Sequence, residues 1–187
     1  MEKLPVVYAE FEERTAPYRK TAACEPGCSF CCRGPGTVDI TTLEGMVIVN
    51  RLGCLPKKGR QPIEKAVARD RRLRENNGYA PCPFLQKNSH CRIYDQRPFA
   101  CRRLYSLKTC SDKQPPLLHK AVMTMAEQSL SRLQRLDDTG YTGHLSYILF
   151  MLGNEAFLNT YLAGKFEPER VQDYGRSHGI VINRSVS

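Results

Sequence analysis

A chain of 187 residues, 41% of them hydrophobic, is long enough to bury a proper core, so its nine cysteines are not the staples of a miniature fold. Cysteine at about 5% lies below the level of disulfide scaffolds. The opening Met1-Glu2-Lys3-Leu4 has neither a basic nor an apolar leader region, and Glu10, Glu12 and Glu13 speak against a transit peptide. The expectation is a cytoplasmic protein of one domain, residues 1–187, whose thiols stay reduced and bind metal. The longest apolar run, 148–152, is too short for a membrane span. The net charge of +9 is concentrated. Residues 57–74 hold eight cations against Glu64 and Asp70, an excess of six.

In chain order, residues 6–22 read as a polar helix leading into Cys24, Cys28, Cys31 and Cys32, with Gly27, Gly34, Pro35 and Gly36 marking tight turns. A short strand is expected near 37–40. Thr41-Thr42-Leu43-Glu44 is a capping box before Met46, Val47, Ile48 and Val49, and Gly53 is the stop. Pro56 and Pro62 bracket a loop. Ile63, Ala66, Val67 and Leu73 then recur at helical spacing, with Lys65, Arg69 and Arg72 on another face. Residues 76–112, with Asn76-Asn77-Gly78, Pro81, Pro83 and Pro98, show no sustained period and read as irregular structure held by metal. Helices are expected over 116–136 and 144–162, separated by Asp137-Asp138-Thr139-Gly140 and packed as a C-terminal helical hairpin. A short helix over 169–177 and a loose tail from Asn183 complete the reading. The fold class is mainly α: helices around an irregular cysteine-rich metal-binding centre, with residues 22–110 as the metal module and 113–177 as C-terminal helices.

Eight cysteines form two groups: Cys24, Cys28, Cys31, Cys32, and then Cys82, Cys91, Cys101, Cys110 at intervals of nine, ten and nine. Thiolates are soft anionic ligands, and four of them suit zinc or an iron–sulfur cluster. Neither group has the paired C-x2-C knuckles of a zinc ribbon. The C-x3-C-x2-C spacing also matches radical SAM enzymes, but Cys32 follows directly and no α/β alternation succeeds it. The preferred reading is one iron–sulfur cluster, 4Fe-4S, drawing ligands from both groups, with zinc as the alternative; two four-thiolate sites stay open. Neighbours such as Cys31 and Cys32 are expected to point apart. Cys54 belongs to neither group and reads as an ordinary buried thiol. His90 reads as solvent-facing, and His119, His144 and His178 as surface or capping residues. No Walker loop, dinucleotide fingerprint, nucleophile elbow or H-E-x-x-H is present, so catalytic residues are not identifiable.

Taken together, the Cys24–Cys32 cluster, the Thr41-Thr42-Leu43-Glu44 helix start, Cys82-Pro83-Phe84-Leu85, Cys91-Arg92-Ile93-Tyr94-Asp95-Gln96-Arg97-Pro98 and Cys101-Arg102 resemble the YkgJ-type cysteine-cluster family, described as zinc- or iron-chelating. The resemblance implies a metal site over about 22–110. A similar module accompanies an iron–sulfur cluster in an enzyme that methylates flagellin lysines; this chain is much shorter, and that activity does not carry over. Around the motif, Phe84, Leu85, Ile93 and Tyr94 are expected to cover the site. Arg97 and Arg102 are expected to bond sulfur or loop carbonyls, or to pin the loops through carboxylates such as Asp95. The basic segment 57–74 is a solvated helix face or a contact for nucleic acid or an acidic protein. It carries no aromatic for base stacking.

Overall fold

The computed structural model describes residues 2–25, 27–34, 36–165, 167, 169, 173 and 182–184. Its elements are α1 (Lys3–Arg19), α2 (Phe30–Arg33), β1 (Asp39–Thr41), α3 (Thr42–Gly53), α4 (Lys57–Glu75), α5 (Phe99–Arg102), α6 (Lys120–Leu136), β2 (Tyr141–His144), α7 (Leu145–Leu152), α8 (Glu155–Leu162) and β3 (Ile182–Arg184). The protein is mainly helical. Strand is confined, among the described residues, to one antiparallel sheet of order β1-β2-β3.

Two hydrophobic cores organise the helices. In the first, α1 buries Leu4, Val7, Phe11 and Thr15, and α6 buries Val122, Ala126, Ser129 and Leu133. Both sets repeat at three and four residues, which puts each on one face, and the two helices pack together. The Thr15 hydroxyl is buried without penalty because it donates to the Phe11 carbonyl at 2.8 Å. Phe99 meets Phe11 edge-on at 4.8 Å between ring centres, and Tyr105 joins the same core.

The second core lies between α3, α4 and α7 and contains Ile48, Leu52, Ile63, Val67 and Ile148. The capping box forms as read: Glu44 N–H donates to the Thr41 hydroxyl at 3.2 Å, and Thr41 N–H to Glu44 Oε2 at 2.8 Å. Gly45 lets α3 and α7 approach closely. A Cβ there would lie 2.7 Å from Leu152 Cδ1 and 2.8 Å from Ile148 Cγ2.

Three local expectations change. α4 starts at Lys57, so Pro62 sits inside the helix and not at a loop edge. The bond that Pro62 cannot donate would go to the Lys58 carbonyl; both residues are exposed, so water can serve that carbonyl. The C-terminal hairpin does not form. Asp137, buried in the supposed breaker, accepts from Leu43 N–H (2.8 Å) and from the Tyr161 hydroxyl (2.7 Å). Those bonds draw α8 toward the start of α3, while α6 packs along α1 and α7 along α3 and α4. At the end of the chain, Asn183 and Arg184 pair with Thr142 and Tyr141 in β3, where a loose tail was expected. The short helix expected over 169–177 falls largely outside the described residues, as does His178.

Candidate metal centre

The stretch 76–112 is irregular, as its prolines require, with only a 3-10 turn (Tyr94–Gln96) and the four-residue α5 inside it. Short backbone links hold it. Cys82 N–H donates to the Cys32 carbonyl at 2.8 Å, which docks the second cysteine group on the first. Leu85 and Cys91 form an isolated antiparallel bridge, and Arg92 N–H donates to the Phe84 carbonyl at 2.9 Å. Pro98, buried, turns the chain into α5, which carries Cys101.

These links bring five thiols into one electrostatic neighbourhood: Cys31, Cys32, Cys82, Cys91 and Cys101. Burial pushes the Cys82 thiol up to about 11, with Cys91, Asp70 and Cys31 adding to the rise. Burial likewise raises Cys91 and, strongly, Cys101. Cys31 and Cys32 were expected to point apart, but their thiols lie close enough to perturb each other. That mutual interaction holds the Cys31 thiol below its ordinary value and pushes Cys32 far above its own. Apart from Cys31, these crowded, desolvated thiols are costly to ionise until a cation arrives.

Cys24, Cys28 and Cys110 form a rim. Cys24 has Cys28, Cys110 and Cys31 as neighbours, and its sulfur accepts the Ser106 N–H at 3.3 Å. Cys24 and Cys28 are exposed, as is Cys31 among the inner five. Cys54 is exposed too, not the buried thiol expected, since it caps the end of α3 beyond the packed face. His90 is exposed; His119 caps α6 by accepting Ala121 N–H at 3.2 Å.

The two arginines divide their work. Arg102 pins the loops: Nη1 lies 2.7 Å from Glu12 Oε1, Nε donates to the Arg97 carbonyl and Nη2 to the Asp95 carbonyl. Arg97 faces the thiols, and its positive charge lowers Cys31, Cys91 and Cys101. Its Nε is buried without a hydrogen-bond partner among the described residues. Phe84 and Ile93 are buried in the second core and Leu85 is half-buried. Tyr94 does not cover the site: it is 59% exposed, stacked outside under the Arg97 guanidinium at 4.2 Å.

A group that no motif announces sits behind the first cysteines. Asp70 on α4 is 1% exposed and accepts from Arg74 Nε at 3.1 Å, and its Oδ2 lies 3.5 Å from His144 Nδ1. Arg74 Nη2 also donates to the Gly36 carbonyl at 3.3 Å, tying α4 to the loop after the first cysteine group. Asp70, Arg74 and His144 line a cavity of about 10 Å³ with Cys31, Cys32 and Cys82. His144, read as surface or capping, does cap α7 through Ser146 N–H, but it is buried.

Among the described residues no three histidine, cysteine, aspartate or glutamate side chains stand around one ion-sized point, so the gathered thiols must rotate to close on a metal. The donor set nevertheless fits a thiophilic metal: the inner donors are sulfur, and the Arg97 charge favours the thiolate form of three of them, Cys31, Cys91 and Cys101. A family model described as "Putative zinc- or iron-chelating domain", CxxCxxCC, matches residues 23–129, more than half of the chain. The chain belongs to the CxxCxxCC family. Metal chelation by zinc- or iron-type chemistry is therefore a property of this chain. Where the family name has two residues between the first cysteines, this chain has Glu25-Pro26-Gly27, and Gly27 takes a φ of 88° that favours glycine. Comparisons with curated proteins and with solved structures return no match. Among the described residues no helix is long and apolar enough to cross a membrane.

Proposed function

We propose that this member of the CxxCxxCC family holds an iron–sulfur centre, a single four-iron cluster, and serves a redox, metal-handling or accessory role in the cytoplasm. The observation that supports this reading is the gathering of five thiols from three chain segments against the unpartnered Arg97 Nε. Five inner and three rim sulfurs exceed the four that a structural zinc site takes. A cluster bound by thiolates carries a net negative charge, which Arg97 would offset. When bound, such a group supplies one-electron transfer. The protein side of the site excludes water through Phe84, Ile93 and Pro98 and fixes the loops through Arg102.

The deciding experiment is anaerobic purification with analysis for iron, acid-labile sulfide and zinc. A brown protein absorbing near about 400 nm, with iron and sulfide in equal amounts, supports the cluster. Colourless protein containing zinc and no sulfide overturns it and makes the site a structural zinc module.

A further inference from the structure

Helix α4 sorts its cations. On the side facing α7, Arg60 lies 3.1 Å from Glu64, Arg71 lies 2.5 Å from Glu75, and Arg74 lies 3.1 Å from Asp70. Each of these arginines has an acid four residues away, an arrangement that neutralises charge along a helix. Lys58, Lys65, Arg69 and Arg72 are different. All four are exposed, and none has an ion-pair partner among the described residues. Their spacings of seven, four and three residues place them in one stripe, about 21 Å long at 1.5 Å per residue.

The stripe runs against local helix electrostatics. The first turn of α4 contains no acid and starts with Lys57 and Lys58, at the end where the helix dipole favours negative charge. A face kept only for solubility would gain from acids there. This one presents uncompensated positive charge from its first turn to its last.

We propose that this stripe binds the phosphate backbone of a nucleic acid. The side chains between its cations, Gln61, Pro62 and Ala68, supply no large apolar or aromatic anchor of the kind that carries binding energy at protein interfaces. A phosphate backbone needs no such anchor. One strand of a duplex presents a charge every 3.4 Å or so along its axis, and about six of them lie opposite a 21 Å stripe. With no aromatic between residues 57 and 78 there is nothing to stack on bases, so recognition is independent of sequence. The inference goes beyond the metal reading and does not depend on which metal is held. The two surfaces are mechanically joined, since Asp70 and Arg74 of the same helix back the first cysteine loop.

The test is fluorescence anisotropy with the full chain as purified, using a labelled 20-nucleotide RNA and a 20-base-pair DNA duplex over a salt series. Wild type is expected to bind with a log–log salt slope of about −3 to −4 on the duplex. The triple variant Lys65→Gln, Arg69→Gln, Arg72→Gln should lose about three units of that slope and at least about tenfold in affinity at low salt, with helix and metal content unchanged. The double variant Arg60→Gln, Glu64→Gln, on the neutralised face, should bind as wild type does. Absence of binding to both probes at about 50 mM salt overturns the proposal, as does a triple variant that binds like wild type. Polyglutamate competing as well as RNA also overturns it, and points to an acidic protein.

Discussion

At Cys31 and Cys101, removing one sulfur atom tests which thiols are ligands. Cys31→Ser and Cys101→Ser should each lose metal and lower the melting temperature, because binding energy at a structural site is folding energy. Cys54→Ala should keep metal content and melting temperature, since this exposed thiol is a neighbour of none of the five inner ones. Metal analysis beside a thermal melt checks all three, and full metal in both serine variants would break the assignment. Asp70 and His144 make a second residue-scale case. Asp70→Asn should cost about 3 kcal/mol, the usual loss when one partner of a buried ion pair is removed, read from denaturant unfolding. Burial, with Arg74 adding, holds the His144 imidazole down to about 3 from its ordinary 6.5. The unfolded chain therefore takes up that proton near pH 6.5, while the folded chain resists until about 3. Stability from this group is intact above 6.5 and falls as pH drops toward 3. Stability curves of wild type and His144→Gln at matched metal content should converge as the pH falls through that window; a constant gap would contradict it.

On the scale of elements, the start of α3 does more than cap a helix. Glu44 Oε2 closes the capping box, while Oε1 accepts the Tyr8 hydroxyl at 2.6 Å and the Phe99 N–H at 2.7 Å. One buried carboxylate thus joins α1, α3 and α5. Burial and then Glu44 push the Tyr8 phenol far above its ordinary value, keeping it a donor. Thr41→Ala should cost about 1–2 kcal/mol, as lost caps do. Glu44→Ala should cost about 3 kcal/mol or more, because three donors lose their acceptor. Equal losses from the two in chemical denaturation would show that Glu44 acts only as a cap. The cap itself was legible, since Thr41 and Glu44 are three residues apart and the rule is local. The knot was not, because Tyr8 and Phe99 are distant in sequence. The lost hairpin has the same origin: the periodicity of α6 shows that it has an apolar face, but not that the face meets α1. Asp137 read as a loop residue because its partners, Leu43 and Tyr161, lie on other elements. Within the site, the eight cysteines are visible as spacing, whereas the closeness of the Cys31 and Cys32 thiols and the cavity behind them depend on side-chain direction and on α4.

For the whole molecule, the irregular stretch 76–112 has a part in both cores. Phe84 and Ile93 belong to the one around α3, α4 and α7; Phe99 and Tyr105 belong to the one between α1 and α6. Four cysteines sit among these anchors, so a metal held by them would stitch the two halves of the hydrophobic interior together. Stripping metal under reducing conditions should therefore expose this stretch first, with trypsin cutting at Lys87, Arg92 or Lys108, all exposed, before it cuts the helices. Cleavage that begins in α1 or α6 instead would show that the stretch holds its place unaided. The same linkage reaches the cell. Ligand that binds only the folded state protects it in proportion to its supply, so the copy number of this protein would follow the availability of its metal without any change in its synthesis. A chain folded in this way would convert a chemical concentration into a protein lifetime.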